Sequence, residues 1–154
     1  MLPKSAHFLT RAITHFPHPL AIGQPYNIPY LLDKPEYPKS RRVYGEVYVV
    51  NLTEIPTVDD FEGVSKGFYR RGTIKVRLEK GFVWGQDWWG KAWEVIDVDT
   101  YFRDESNGGP QWAKDCTVEN LLKEVFFDEY TQKEADRFVF RNQRRLDKKK
   151  SDED

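Results

Sequence analysis

The clearest structural pattern in the sequence lies in residues 58–78, VDDFEGVSKGFYRRGTIKVRL. Its first part continues a short helix predicted over residues 55–61, and Gly63 is placed to end that helix. In its second part apolar and charged residues alternate, which predicts a strand over residues 67–78. One face of this strand should be buried and the other solvated. The residues expected on the buried face are Ile74, Val76 and Leu78.

Two further segments have the composition of strands. Residues 42–50 are rich in β-branched and aromatic side chains with partial alternation, which is typical of a buried strand. Residues 91–98 predict a third strand, after a connection rich in glycine and tryptophan. Prolines at positions 17, 19, 25, 29, 35 and 38 interrupt the first forty residues, where we expect loops and short edge strands. The sequence therefore predicts a β-rich core with short helices.

The sequence changes character after residues 107–110, NGGP. Apolar residues at positions 121, 122, 125 and 126 have helical spacing, and Thr131 with Glu134 forms a capping box that opens a second predicted helix. Residues 142–154 are almost wholly polar, which predicts a disordered tail. We therefore expect a domain over residues 1–107, a helical extension over residues 108–141 that packs on it, and a tail over residues 142–154.

The charge balance argues against two classes of partner. The 24 basic residues nearly equal the 25 acidic ones, so the net charge is −1, and neither nucleic acid nor a membrane surface has electrostatic support. The single cysteine, Cys116, cannot form an intramolecular disulfide, and no secretory leader is recognisable. We expect a cytosolic protein.

Metal and cofactor sites have little support in the sequence. His7, His15 and His18 have no acidic or thiol partner at a metal-ligand spacing. The stretch over residues 97–100 lacks the glycine and distal glutamate of a calcium loop, and no glycine-rich phosphate loop occurs. If the protein is an enzyme, we expect it to work without a metal or cofactor.

Residues 58–71 also carry a resemblance. Asp-x-x-Glu-Gly over residues 59–63, followed by Tyr-x-Arg and an alternating strand, resembles the γ-glutamylcyclotransferase superfamily. The runs PLAIG (19–23), YNIPYLL (26–32) and GEVY (45–48) stand in the order found in its AIG2-like branch, the γ-glutamylamine cyclotransferases. The resemblance is good across about residues 6–80 and absent from the C-terminal segment.

The resemblance implies a fold and a reaction. The fold is α+β, a small mixed β-barrel-like sheet with short helices and a polar cavity. The substrate is a small-molecule γ-glutamyl amide, such as γ-glutamyl-ε-lysine. Its own α-amine attacks the γ-carbonyl, which yields 5-oxoproline and a free amine without hydrolysis.

The resemblance also assigns site residues. Glu62 would be the catalytic acid/base, although a solvated turn carboxylate beside Asp59 and Asp60 would look the same from the residues alone. Tyr69 would border the substrate, or else be a strand tyrosine bonded to backbone. Asn27 and Ile28 would shape the amine side of the pocket, or else form a turn before a proline. Arg70 and Arg71 are expected to be surface charges.

The sequence departs from the family pattern in two places. Family members open with a strand and a Tyr-Gly-Thr-Leu-type loop whose amides hold the γ-glutamyl group, and we expect this segment to be missing here. Relatives also show a tyrosine near the end of the strand that we place at residues 91–98. A catalytically impaired member that acts as a β-rich binding module therefore remains an alternative, in which an exposed tryptophan group could stack on a partner. Core packing under the C-terminal helices is the preferred interpretation of Trp84, Trp88, Trp89 and Trp93.

Overall fold

A computed structural model describes residues 2–106 and 116–131. Its main sheet is four-stranded and antiparallel, and a separate two-stranded hairpin packs beside it. The elements in chain order are β1 (His7–Thr14), β2 (Leu20–Gly23), β3 (Ile28–Leu31), β4 (Tyr44–Val49), α1 (Ile55–Glu62), β5 (Tyr69–Leu78), β6 (Val95–Arg103) and α2 (Val118–Leu121), with single 3₁₀ turns at Leu52–Glu54 and Val64–Lys66. The α+β class expected from the sequence is confirmed.

The sheet has the order β4-β1-β5-β6, so β1 lies inside it. This strand pairs with β4 from His7↔Val49 to Ile13↔Tyr44, and its second half also pairs with β5. The expectation that loops and short edge strands dominate the first forty residues was wrong for this segment. The proline positions that supported it begin at Pro17, after β1 ends, so each residue of β1 keeps its backbone donor.

The two flanking strands also differ from the prediction. The strand predicted at residues 42–50 is present as β4, but it is an edge strand with Tyr44 and Val49 exposed, so its predicted burial was wrong. A strand paired on one side only has less cover than an inner strand. The strand predicted over residues 91–98 runs instead from Val95 to Arg103, because residues 84–93 form their own small hairpin with a bridge between Gln86 and Ala92.

The strand predicted over residues 67–78 is confirmed as β5, Tyr69–Leu78. Its expected apolar face is buried and belongs to a cluster with Ala12 and Phe102. A second cluster joins the β2–β3 hairpin to the segment after residue 115, and its buried members are Ala21, Ile28, Tyr30, Leu32, Cys116, Leu121 and Phe126. The two clusters lie on either side of the β2–β3 hairpin, whose Leu31 packs against the first.

The helices are short. α1 ends where Gly63 takes a left-handed conformation, with φ of 71°, as a helix-terminating glycine commonly does. The Thr117 side chain caps α2 by accepting a hydrogen bond from the Asn120 amide. α2 spans only four residues, so it is shorter than the helix that the spacing of the apolar residues predicted. Most of the second predicted helix and the whole tail lie outside the described residues. No helix in the described parts of the chain is long and apolar enough to cross a membrane.

The tryptophans in the connection between β5 and β6 are exposed. Trp88 is 88% and Trp89 65% exposed, and Trp84 and Trp93 are also exposed, so the expected core packing was wrong. Main-chain hydrogen bonds between Trp84 and Trp93, and between Asp87 and Lys91, tie the connection to itself. These four tryptophans belong to neither buried cluster, whereas Phe82, earlier in the same connection, packs against the first.

Candidate active site

Glu62 is the last residue of α1, at the turn that leads into β5. Its side chain is half-buried. Gly63 follows at once, and a Cβ at that position would lie 2.7 Å from the ring of Phe68. A left-handed φ and a close neighbour both require glycine here. The Glu-Gly pair of the motif therefore fixes where the helix stops and where the glutamate is presented.

Asp59, one helical turn before Glu62, is the centre of a polar network. Its Oδ1 accepts a 2.6 Å hydrogen bond from the Tyr101 hydroxyl on β6 and lies 3.1 Å from Nε of Arg71 on β5. Arg71 in turn donates to Asp99 at 3.2 Å. Residues three apart share a helix face, so Asp59 and Glu62 both face this hairpin. Of the two neighbouring aspartates, Asp59 is half-buried and Asp60 is exposed.

The surroundings of Tyr101 hold the pKa of its hydroxyl above the ordinary value. Partial burial is the main cause that raises the pKa of Tyr101, followed by its hydrogen bond to Asp59 and the negative charges of Asp59 and Glu62, while Arg71 acts in the opposite sense. The negative charge of Glu62 therefore contributes to the raised pKa of the Tyr101 hydroxyl. Tyr101 is a neutral hydrogen-bond donor close to the predicted acid/base.

Sequence reasoning missed Tyr101, although a signal for it existed. The resemblance implies a tyrosine near the end of the strand that we placed at residues 91–98, where none was found. With the strand at Val95–Arg103, Tyr101 is two residues from its end. Tyr101 is therefore our candidate for the tyrosine that the resemblance implies near the end of this strand.

The other predicted residues gather at the β2–β3 hairpin. Tyr69 donates to the carbonyl of Pro29 at 3.1 Å and stacks on Tyr30. Asn27 has a φ of 53° and lies in the turn, where its side chain accepts a 2.6 Å hydrogen bond from Gln24. Ile28 is buried in the second cluster. The hydrogen bond to backbone and the turn geometry match the structural alternatives given for these residues.

Tyr69 lies on the same face of the sheet as Arg71 and Tyr101, the partners of Asp59. The register Tyr69↔Arg103 and Arg71↔Tyr101 places all four side chains on one face of β5–β6, because alternate residues of a strand point the same way. Tyr69 therefore lies beside the Asp59 network and not across the sheet from it. Arg71 is taken up in that network, and Arg70 pairs with Asp33 at 2.6 Å, so both arginines are bound to carboxylates at a partly exposed surface.

A cavity of about 530 Å³ opens on the apolar face of the sheet. Ala12, Ile74, Val76 and Val98 line it, with Leu31 from the hairpin, and Arg11 bonds to Glu129 among its polar lining residues. Glu62 is not among the described lining residues. In the described part of the chain, no group of three or more histidine, cysteine or acidic residues is placed to hold a metal ion.

Comparison with known proteins agrees with this architecture. The family model for γ-glutamyl cyclotransferase, AIG2-like, matches residues 3–115. The chain belongs to this family. Zebrafish γ-glutamylaminecyclotransferase C is 30% identical over 115 residues, which cover 75% of this chain and 68% of that protein. The human γ-glutamylaminecyclotransferase is 40% identical over 74 residues, 48% of this chain and 46% of that protein.

A solved structure shares the fold of this AIG2-like chain. The crystal structure of a mouse AIG2-like protein matches with a TM-score of 0.59 at 25% identity, over 82% of this chain and 70% of that one. The matched segments span about half to two thirds of the curated relatives' own length. The fold and family are thereby established for the region that contains Glu62, Asp59 and Tyr101.

Proposed function

We propose that this AIG2-like chain converts γ-glutamylamines, such as γ-glutamyl-ε-lysine, to 5-oxoproline and a free amine, with Glu62 as the acid/base. The observation that carries the proposal is the half-buried Glu62 at the end of α1, beside the neutral donor Tyr101. The relatives named γ-glutamylaminecyclotransferases support the substrate class. We also propose the cytosol as the place of action.

The reaction requires one group that takes a proton from the substrate α-ammonium and returns it to the leaving nitrogen. The substrate α-ammonium must lose a proton before its nitrogen attacks the γ-carbonyl carbon, and the amide nitrogen must gain one as its bond to that carbon breaks. A single carboxylate performs both transfers when it lies within reach of both nitrogens. Because the attack is intramolecular, a site that holds the glutamyl chain in its folded conformer supplies much of the remaining acceleration.

Tyr101 is suited to a supporting role. Its single O–H donates to Asp59, so Tyr101 holds that carboxylate in place, and as a protonated phenol it takes no proton from the substrate at neutral pH. Backbone amides of a Tyr-Gly-Thr-Leu-type loop, as the resemblance implies, would stabilise the tetrahedral oxyanion. Tyr69, Asn27 and Ile28 remain our proposed substrate contacts, and Tyr69 lies on the face of β5 that also carries Arg71.

A second candidate function rests on the exposed tryptophans of the β5–β6 connection. Aromatic residues are enriched in the contact surfaces of proteins, so a family member with impaired catalysis could act as a binding module through this hairpin. This alternative predicts that γ-glutamyl-ε-lysine is bound without turnover or is not bound.

The test is the identity of the products. The chain, and a version with a Tyr-Gly-Thr-Leu-type strand and loop added ahead of residue 1, are incubated with γ-glutamyl-ε-lysine and analysed by mass spectrometry. We expect 5-oxoproline and lysine in equal amounts, with the extended version far more active because one oxyanion donor alone is worth ~10²–10³ in rate. Glutamate in place of 5-oxoproline would show hydrolysis, and no product from either version would refute the proposal.

A further inference from the structure

The helix that presents Glu62 has little apolar anchorage. α1 spans eight residues and none of its side chains is fully buried. Phe61, the residue before Glu62, is 46% exposed. A helix this short is marginal without tertiary contacts. Because Ile55 and Val58 are only half-buried, we expect polar contacts to the rest of the domain to contribute to the orientation of α1 and so to the position of the Glu62 carboxylate.

Asp59 makes those contacts. Its carboxylate accepts a hydrogen bond from Tyr101 at 2.6 Å and forms an ion pair with Arg71 at 3.1 Å, so one side chain of α1 is tied to both strands of the β5–β6 hairpin. Asp99 extends the network through Arg71. The Asp59 side chain is only 25% exposed, less than those of Arg71 and Asp99, as expected for the centre of a network.

We propose that Asp59 is a positioning residue: by binding Tyr101 and Arg71 it fixes α1 against the hairpin and holds the Glu62 carboxylate, one turn away, at the substrate. The catalytic half of this inference rests on the proposed function above, whereas the structural half does not. Asp59 itself touches no reacting atom in this account. It acts through the helix and through the orientation of the Tyr101 hydroxyl.

The matched experiment compares Asp59→Asn with Asp60→Asn in the version that turns over substrate. Both changes remove one negative charge from neighbouring residues of one helix, but Asp60 is exposed. We expect Asp59→Asn to lower kcat about 10- to 10²-fold with KM within about threefold, since a displacement of about 1 Å can cost 10²-fold. Asp60→Asn should stay within about twofold of the parent.

Two readouts do not depend on turnover. Amide hydrogen exchange across residues 57–62 should become faster in Asp59→Asn and not in Asp60→Asn. In an ultraviolet titration of the tyrosines, Asp59→Asn should move one phenol to lower pH, and Tyr101→Phe should remove that phenol from the titration. The charged groups that face Tyr101 are Asp59 and Glu62 from α1 and Arg71 from β5, with Asp99 reached through Arg71.

The outcomes separate the two proposals. If the parent shows no turnover, the proposed function fails, and exchange and titration still decide whether Asp59 holds α1 and Tyr101. Unchanged exchange in Asp59→Asn would overturn the positioning role even if kcat fell, and an unchanged kcat in an active parent would overturn its catalytic relevance. If Asp59→Asn does not fold, Arg71→Gln, which leaves the Tyr101 hydrogen bond in place, must give faster exchange in α1 for the inference to stand.

Discussion

Gly63→Ala should be one of the most destabilising small substitutions in the described part of the chain. Gly63 has a φ of 71°, and an alanine held in this left-handed region costs about 1–2 kcal/mol. Its Cβ would lie 2.7 Å from Cδ2 of Phe68, well inside the ~3.5–4.0 Å that two carbons prefer. Displacing a packed ring costs about 1–3 kcal/mol. Together the two effects predict a loss of about 2–5 kcal/mol in the free energy of unfolding.

Alanine substitution at two other glycines separates the two contributions to the lost free energy of unfolding, the left-handed backbone and the contact with a neighbouring ring. Gly81 has a φ of 86° but no atom within 4 Å of the added Cβ, and Gly45 has neither a left-handed φ nor a neighbour. Urea unfolding followed by circular dichroism should therefore rank the variants, with Gly45→Ala near the parent, Gly81→Ala lower by about 1–2 kcal/mol, and Gly63→Ala lowest. If Gly63→Ala unfolds at the same urea concentration as Gly81→Ala, the contact with Phe68 contributes nothing and the reasoning is refuted.

Two further predictions concern the tryptophan hairpin and a buried arginine. Iodide should quench most of the tryptophan fluorescence, because Trp84, Trp88, Trp89 and Trp93 are exposed; emission protected from iodide would restore the core-packing interpretation. Arg103→Met should lower stability by about 3 kcal/mol, because the guanidinium is buried and donates to three backbone carbonyls. The exposed Arg77→Met is the control, and equal unfolding midpoints for the two variants would contradict this account.

The sequence predicted a strand and its buried face correctly where apolar and polar residues alternate within that strand. The alternation of Ile74, Val76 and Leu78 predicted β5 and its buried face correctly. β1 was missed because the proline density after residue 16 was extended to a segment without proline. The burial of β4 was wrong because an edge strand and an inner strand can share one composition, and only the pairing order of the whole sheet separates them.

In the candidate site, too, the features set by local sequence were predicted, and those set by contacts between distant residues were not. Local sequence placed Glu62 at the end of a helix followed by a terminating glycine. The role of Asp59 could not be predicted, because its partners Tyr101 and Arg71 are distant in sequence and meet it only through the register of β5 and β6. The tryptophans were expected to pack under the C-terminal helices, but a hairpin stabilised by its own main-chain hydrogen bonds presents them to solvent.

The most direct test of the central claim is the turnover of γ-glutamyl-ε-lysine by Glu62→Gln, measured as 5-oxoproline release beside the parent and Asp60→Asn. Glutamine keeps the size and much of the hydrogen bonding of Glu62 but cannot carry the proton. We expect kcat of Glu62→Gln to fall by at least ~10²-fold, with substrate binding largely kept and Asp60→Asn close to the parent. Turnover by Glu62→Gln within a few-fold of the parent would contradict the assignment of Glu62 as the acid/base.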